Sequence, residues 1–211
     1  MAIEGPFGWS INRGILFRFS HFALDLVPQH LLEGRTTRAT MDEPRLRLTG
    51  TGEGLTTTVV TVLSGADSPQ RVMQSIHSFF PDATLELLPD EPKFGAPSSA
   101  AWTFENLSMQ TFLAALHEQR ILDTALDCMS RNLANDQTEF SISRQAAIND
   151  KVSFAIHGKE PLGGLISIQL SGNGLKEWLE AATWHNGRTQ VPRTIDDERA
   201  MLDDGEASTW H

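Results

Sequence analysis

The sequence predicts an α+β domain, a mostly antiparallel sheet with helices on one face, in the order β-α-β-β-α-β-β-β-α. Two patterns carry this expectation. Short segments at 55–63, 138–142, 152–156 and 166–170 alternate apolar with polar residues, as strands with one wet face do. Between them, stretches at 69–80, 107–133 and 175–182 repeat apolar residues at helical spacing. No repeat of solenoid length is visible.

Taken in order, residues 55–63 are rich in Thr and Val, which suits a strand. Ser68 is a candidate helix cap, and Pro69 at the first helical position forfeits no needed hydrogen bond. Val72, Met73, Ile76, Phe79 and Phe80 supply the buried stripe, and Pro81 ends the helix. Residues 83–88 are expected as a second strand. Pro89, Pro92, Gly95 and Pro97 then mark a loop before a short strand at 101–104.

Asn106 is the expected cap of a long helix over 107–133, whose pattern is unusual. Met109, Phe112, Leu113 and Leu116 share one face, whereas Ile121, Leu122, Ala125, Leu126 and Met129 lie on roughly the opposite one. The stripe changes sides near 117–120. Either the helix bends or breaks there, or it covers two core surfaces, or Gln119 and Arg120 are presented at a rim with their apolar stems packed. Further on, Thr138, Phe140 and Ile142, and then Val152, Phe154 and Ile156, make two half-wet strands joined by a polar surface link at 143–150. Ile166, Ile168 and Leu170 form the last strand. Gly172 and Gly174 turn the chain into a helix carrying Leu175, Trp178, Leu179 and Ala182.

The domain is expected over residues 51–184. Residues 1–50 read as a poorly ordered extension, because glycines and prolines punctuate them too often for a long helix. Its most apolar part, 15–32, is interrupted by Arg18, His21, Asp25 and Pro28, so no membrane span is expected; an amphipathic membrane-surface helix competes with the irregular extension, and the extension, with no membrane partner, is the reading favoured. A chain starting at Met41 or Thr51 is expected to fold as stably as the whole, with Met41 a candidate natural start. Residues 185–211 are acidic and poor in apolar residues, and disorder is expected there.

A single cysteine, Cys128, rules out an internal disulfide framework and suits a reducing, cytoplasmic setting. The net charge of −10 divides unevenly: 6 basic minus 5 acidic in 1–50, 8 minus 16 in 51–184, and 3 minus 6 in 185–211. Such a balance argues against a strong, sequence-indifferent nucleic-acid binder, although it leaves room for a local patch.

Chemistry is sparse. The seven histidines are far apart, none at i, i+4, so no metal set is expected. Gly163-Gly164 and Gly172-Asn173-Gly174 match no phosphate or dinucleotide fingerprint and read as turns. Cys128 has no histidine beside it in sequence, and the acidic runs lack calcium-loop spacing. No catalytic residue, no cofactor and no enzyme is therefore expected. There remain basic and amide side chains suited to phosphate or base edges: Gln119, Arg120, Arg144, Gln145 and Lys151.

An ordered series of short motifs adds to this reading. Arg71-Val72-Met73-Gln74-Ser75-Ile76, Phe80-Pro81-Asp82-Ala83, Glu118-Gln119-Arg120-Ile121-Leu122-Asp123, Arg144-Gln145-Ala146-Ala147, Lys151-Val152-Ser153-Phe154 and Glu160-Pro161-Leu162-Gly163 follow one another in the chain. Together, over about residues 55–184, they resemble an uncharacterised archaeal family of proteins predicted to bind RNA. The resemblance implies a fold similar to the ribosomal large-subunit protein that binds 5S RNA. It departs from the pattern near Leu126 and Asp127, where a basic side chain is expected, and at Asp150, where a glycine is expected. The function expected is a non-catalytic RNA-associated module recognising structured RNA by phosphate and shape contacts. The alternative is a protein–protein adaptor in RNA-processing or ribosome-related machinery, which the acidity of 51–184 suits.

Overall fold

The protein is described by a computed structural model over residues 48–93, 98–156, 158–159, 161–202 and 204–206. Strand β1 (Thr56–Gly65) leads into helix α1 (Pro69–His77), strand β2 (Ser98–Glu105) and helices α2 (Gln110–Gln119) and α3 (Leu122–Ser130). Strand β3 (Gln137–Ser143), the short helix α4 (Arg144–Ala147), strand β4 (Leu165–Ser171) and helix α5 (Leu175–Ala182) follow. The four strands make one sheet in the order β2-β1-β4-β3, every neighbouring pair antiparallel. The expected α+β class is therefore observed.

Strand alternation decides which sheet face is covered. Thr57, Val59, Thr61 and Leu63 of β1 are buried together with Trp102, Phe104, Phe140, Ile142, Ile166, Ile168 and Leu170. Phe112 of α2 sits at the centre of the aromatic core. Its ring centroid lies 5.8 Å from Phe79, 6.2 Å from Phe80, 5.9 Å from Phe140 and 6.4 Å from Phe154. One side chain thus joins the end of α1 to β3.

Five expectations about elements are corrected. Residues 83–88 form no strand; Ala83, Leu85 and Leu88 pack on the core without a ladder. Residues 152–156 form no strand either: Ser143 N–H donates to Ser153 O and Ala155 N–H to Ser141 O, with an isolated bridge between Ile142 and Phe154. The link at 143–150 contains α4, capped where Ser143 Oγ accepts from Ala146 N–H. Ser68 precedes α1 but makes no side-chain cap, its hydroxyl lying against Gln70 and Glu91 instead. The long helix starts from Met109 rather than Asn106, and of the alternatives for its pattern the break is the one observed, into α2 and α3 at Arg120 and Ile121.

The flanks differ from expectation too. The predicted extension lies outside the described residues up to residue 47, but 48–50 belong to the fold. Thr49 O accepts from Met109 N–H at 2.8 Å. Glu53 accepts from the backbone of Thr49 and Gly50 and, at 2.7 Å, from Trp178 Nε1. Burial pushes its carboxyl up, yet these hydrogen bonds outweigh that and hold it below the usual range. At the other end, the described residues of 185–206 are packed rather than disordered. A 3-10 turn (Asn186–Thr189) buries Arg188, and Ile195 is 7% exposed. This C-terminal strap runs over α3 and α5.

Candidate nucleic-acid interface

Arg144 is not where a binding residue belongs. Its side chain is 5% exposed, and Nη2 donates to Asp67 Oδ2 at 2.8 Å. Nε donates to Gly163 O, and Nη1 to Val62 O at 3.2 Å. Gly164, at φ 80°, leaves the space: a Cβ there would lie 2.1 Å from Arg144 Nη2. The glycine pair that reads as a turn thus cradles a guanidinium. Arg144 ties α4 to β1 and the 161–164 turn, and its place among the RNA-contacting residues is withdrawn, since its donors are spent inside the fold.

Gln119 is half-buried and works as a pin. Its Nε2 donates to Ala115 O at 3.3 Å, and its Oε1 accepts from Val152 N–H at 3.2 Å. An exposed cation flanks each member of this bonded pair: Arg120 follows Gln119, and Lys151 precedes Val152. Lys151 leaves α4 through a tight turn in which its N–H donates to Ala146 O, and Gln145 is exposed on α4 itself. Asp150, where a glycine was expected, takes φ 54°. Arg71 joins this set although spacing alone did not mark it. It is exposed on α1 and lines, with Gln145 and Leu162, a depression whose floor includes Arg144. Its only sequence signal is that it opens the first resembling motif.

Arg120 has an uncommon backbone. It caps α2 at φ 57° and ψ 38°, the left-handed region, with its N–H donating to His117 O at 3.2 Å. Glycine or asparagine is the usual choice for this conformation. The side chain lines a pocket of about 540 Å³ between the end of α2, the start of α3 and the strap, together with His117, Glu118, Thr124, His185 and Asn186. His185 is fixed by two bonds: Nδ1 accepts from Gly187 N–H at 3.2 Å, and Nε2 lies 3.1 Å from Asp123 Oδ2. The proton therefore sits on Nε2.

Two arginines of the strap hold it to aspartates of α3. Arg188 Nε donates to Asp123 Oδ1 at 3.0 Å, and Arg193 Nη2 to Asp127 Oδ1 at 2.6 Å. Burial pushes the Asp123 carboxyl up, but hydrogen bonds from His185 and Arg188 win and hold it low. At Asp127 the balance reverses: burial leaves its carboxyl above the usual range despite Arg193. Asp197 also binds Arg193, at 2.7 Å. Asp123 and Asp127, one helical turn apart, face Arg188 and Arg193.

A second cavity, of about 550 Å³, lies along β3 and is lined by Cys128, Arg131, Phe154 and Lys159. Burial pushes the Cys128 thiol up to about 11, which makes it a poor nucleophile. Among the described residues no group of three or more His, Cys, Asp or Glu could hold a metal, and no helix is long and apolar enough to cross a membrane.

No family model matches the chain. A UPF0201 protein of Sulfurisphaera tokodaii is 31% identical over 121 residues, which cover 56% of this chain and 81% of that protein. The crystal structure of a UPF0201 protein from Methanococcus jannaschii superposes with a TM-score of 0.51 at 20% identity, covering 63% of this chain and 96% of that one. A further UPF0201 crystal structure has a TM-score of 0.48 at 21% identity, over 59% of this chain and 90% of the other.

Proposed function

The chain belongs to the UPF0201 family, and from that premise we propose that it is a non-catalytic RNA-associated module that recognises structured RNA by phosphate and shape contacts. One observation supports this reading above the rest. Arg71, Arg120, Gln145 and Lys151 are exposed, and they project from α1, the end of α2, α4 and the turn after it, elements tied together by the Arg144 socket and the Gln119 pin. Rigid elements presenting cations with amide partners suit the sugar–phosphate backbone of a folded RNA. The acidity of the rest of the domain keeps non-specific affinity low, so binding depends on this set.

The test is a salt titration. With three cations on phosphates, affinity for a structured RNA is expected to fall with a log–log slope of about −2 to −3. Arg71→Ala, Arg120→Ala and Lys151→Ala are each expected to flatten that slope by about one unit. Arg144→Lys is not expected to change it in the fraction that remains folded. Salt-independent binding, or none at low salt, overturns the reading. It would favour the adaptor, for which the exposure of Leu162 at 86% and Leu87 at 84% speaks.

A further inference from the structure

We infer that two copies of this chain associate through the open face of the sheet, their strands antiparallel across a two-fold axis that crosses β1 between Val60 and Val62. This contact goes beyond the RNA reading and uses none of its residues.

One face of the sheet carries the core, and alternation turns the remaining strand residues outward. On the inner strand β1, Val62 is 53% exposed, and Ala101, Thr103, Gln169 and Glu139 are exposed on the other strands. None of the outward positions on the four strands carries a lysine, an arginine or an aromatic ring. Such a surface offers RNA neither a phosphate contact nor a stacking platform. Depletion of charge is instead the mark of the centre of a protein–protein contact.

The register arranges this face in rows. Glu105, Thr58, Gln169 and Glu139 stand side by side across the sheet, so the two carboxylates of the face share one row, each on an edge strand. The next row is Thr103, Val60, Ser167 and Ser141, with the two serine hydroxyls bonded to each other at 2.9 Å. Beyond it Ala101 lies beside Val62, and then Ser99 beside Ser64. The face is therefore acidic towards one end and uncharged at its centre and its other end.

A second copy is the occupant that this pattern fits. Hydroxyls and amides both donate and accept, so an uncharged surface built from them is its own complement. The chain carries −10 overall, and that charge keeps copies apart wherever their acidic groups meet. The axis decides whether they meet here. An axis along the strands would set Glu105 against Glu139 of the other copy across a layer of about 10 Å. With the axis across the strands, the two acidic rows fall at opposite ends, roughly 20 Å apart and beyond the Debye length of about 8 Å. Glu105 then lies over Ser99 of the second copy. Area sets the strength. Four strands about 4.8 Å apart, with seven residues of about 3.4 Å each, make a face of roughly 19 by 24 Å, so two copies bury on the order of 900 Å² in projection and more with the pleat counted. That approaches the roughly 1,200 Å² at which specific interfaces begin, and a Kd in the micromolar range follows.

The experiment is sedimentation equilibrium of the full chain from about 1 to 200 μM, which brackets such a Kd. A monomer–dimer equilibrium is expected. Val62→Lys, which brings a cation from each copy to the centre of the contact, is expected to weaken it at least about tenfold. Ser99→Lys is expected to tighten it about threefold by reaching Glu105 of the second copy. If circular dichroism shows that Val62→Lys does not fold, Ser167→Lys takes its place in the neighbouring row with the same expectation. A monomer throughout the range overturns the inference. So does a dimer that survives the central lysine, since the contact would then lie elsewhere, for instance along the outer edge of β2. A dimer that Ser99→Lys does not tighten overturns the antiparallel arrangement.

Discussion

Arg144 and Arg120 are the same residue type, flagged by the same argument, yet the fold uses them in opposite ways. Arg144 is sealed at the junction of β3, α4 and the 161–164 turn, where Asp67, Val62 O and Gly163 O take its donors. Arg120 stands exposed at the break between α2 and α3, on a backbone conformation that a smaller residue would adopt more easily. One is held because its charge is neutralised inside; the other is tolerated because its charge stays outside. Burial and partners, rather than residue type, separate a structural guanidinium from a presented one.

The comparison is sharpest where the ion pair is most enclosed. Arg144→Ala strands Asp67, whose side chain is 25% exposed, and removes three hydrogen bonds, so a loss of about 3 kcal/mol is expected by chemical denaturation. A loss under about 0.5 kcal/mol, the range of ordinary surface changes, would put Arg144 in the same class as Arg120 and break the contrast.

Arg193 tests whether the rule extends to the strap. It is sandwiched between Asp127 and Asp197, and the Asp127 side chain is 9% exposed. Arg193→Ala is expected to cost roughly 2 kcal/mol, less than Arg144→Ala because Asp197 can turn to water. It should also raise amide hydrogen exchange through 190–202 without affecting β1 or β4. Uniform exchange across both regions would mean that the strap is not a separate unit of stability.

The smallest effect carries the opposite sign. Arg120→Gly is expected to gain about 0.5 kcal/mol, a rise of about 1–2 °C in Tm, since glycine relieves the left-handed conformation and the side chain it replaces is exposed. A clear loss would mean that the Arg120 side chain packs structurally after all.

How much of this was legible in the sequence follows from the range over which each signal acts. Local periodicity located β1, α1, β3, β4 and α5, and the change of sides in the apolar stripe marked the break at Arg120 within a residue or two. Residues 83–88 were read as a strand from local pattern, but a strand also needs a partner for its backbone groups, and this segment pairs with none of the four strands. The helix cap at Ser68 was misjudged because its hydroxyl also competes for side-chain partners nearby, here Gln70 and Glu91. The strap was misjudged on composition, which counts charges without pairing them.

By itself, then, the sequence determined the α+β class and the alternation that covers one face of β1, β3 and β4, since these depend on neighbours within a few residues. Tertiary structure alone decided that Arg144 is buried against Asp67, 77 positions away, that Gln119 pins Val152, and that an acidic segment closes a pocket over α3. The physical reason is that the net effect of a charge or a hydrogen bond is set by what surrounds it, and those surroundings are assembled from distant parts of the chain.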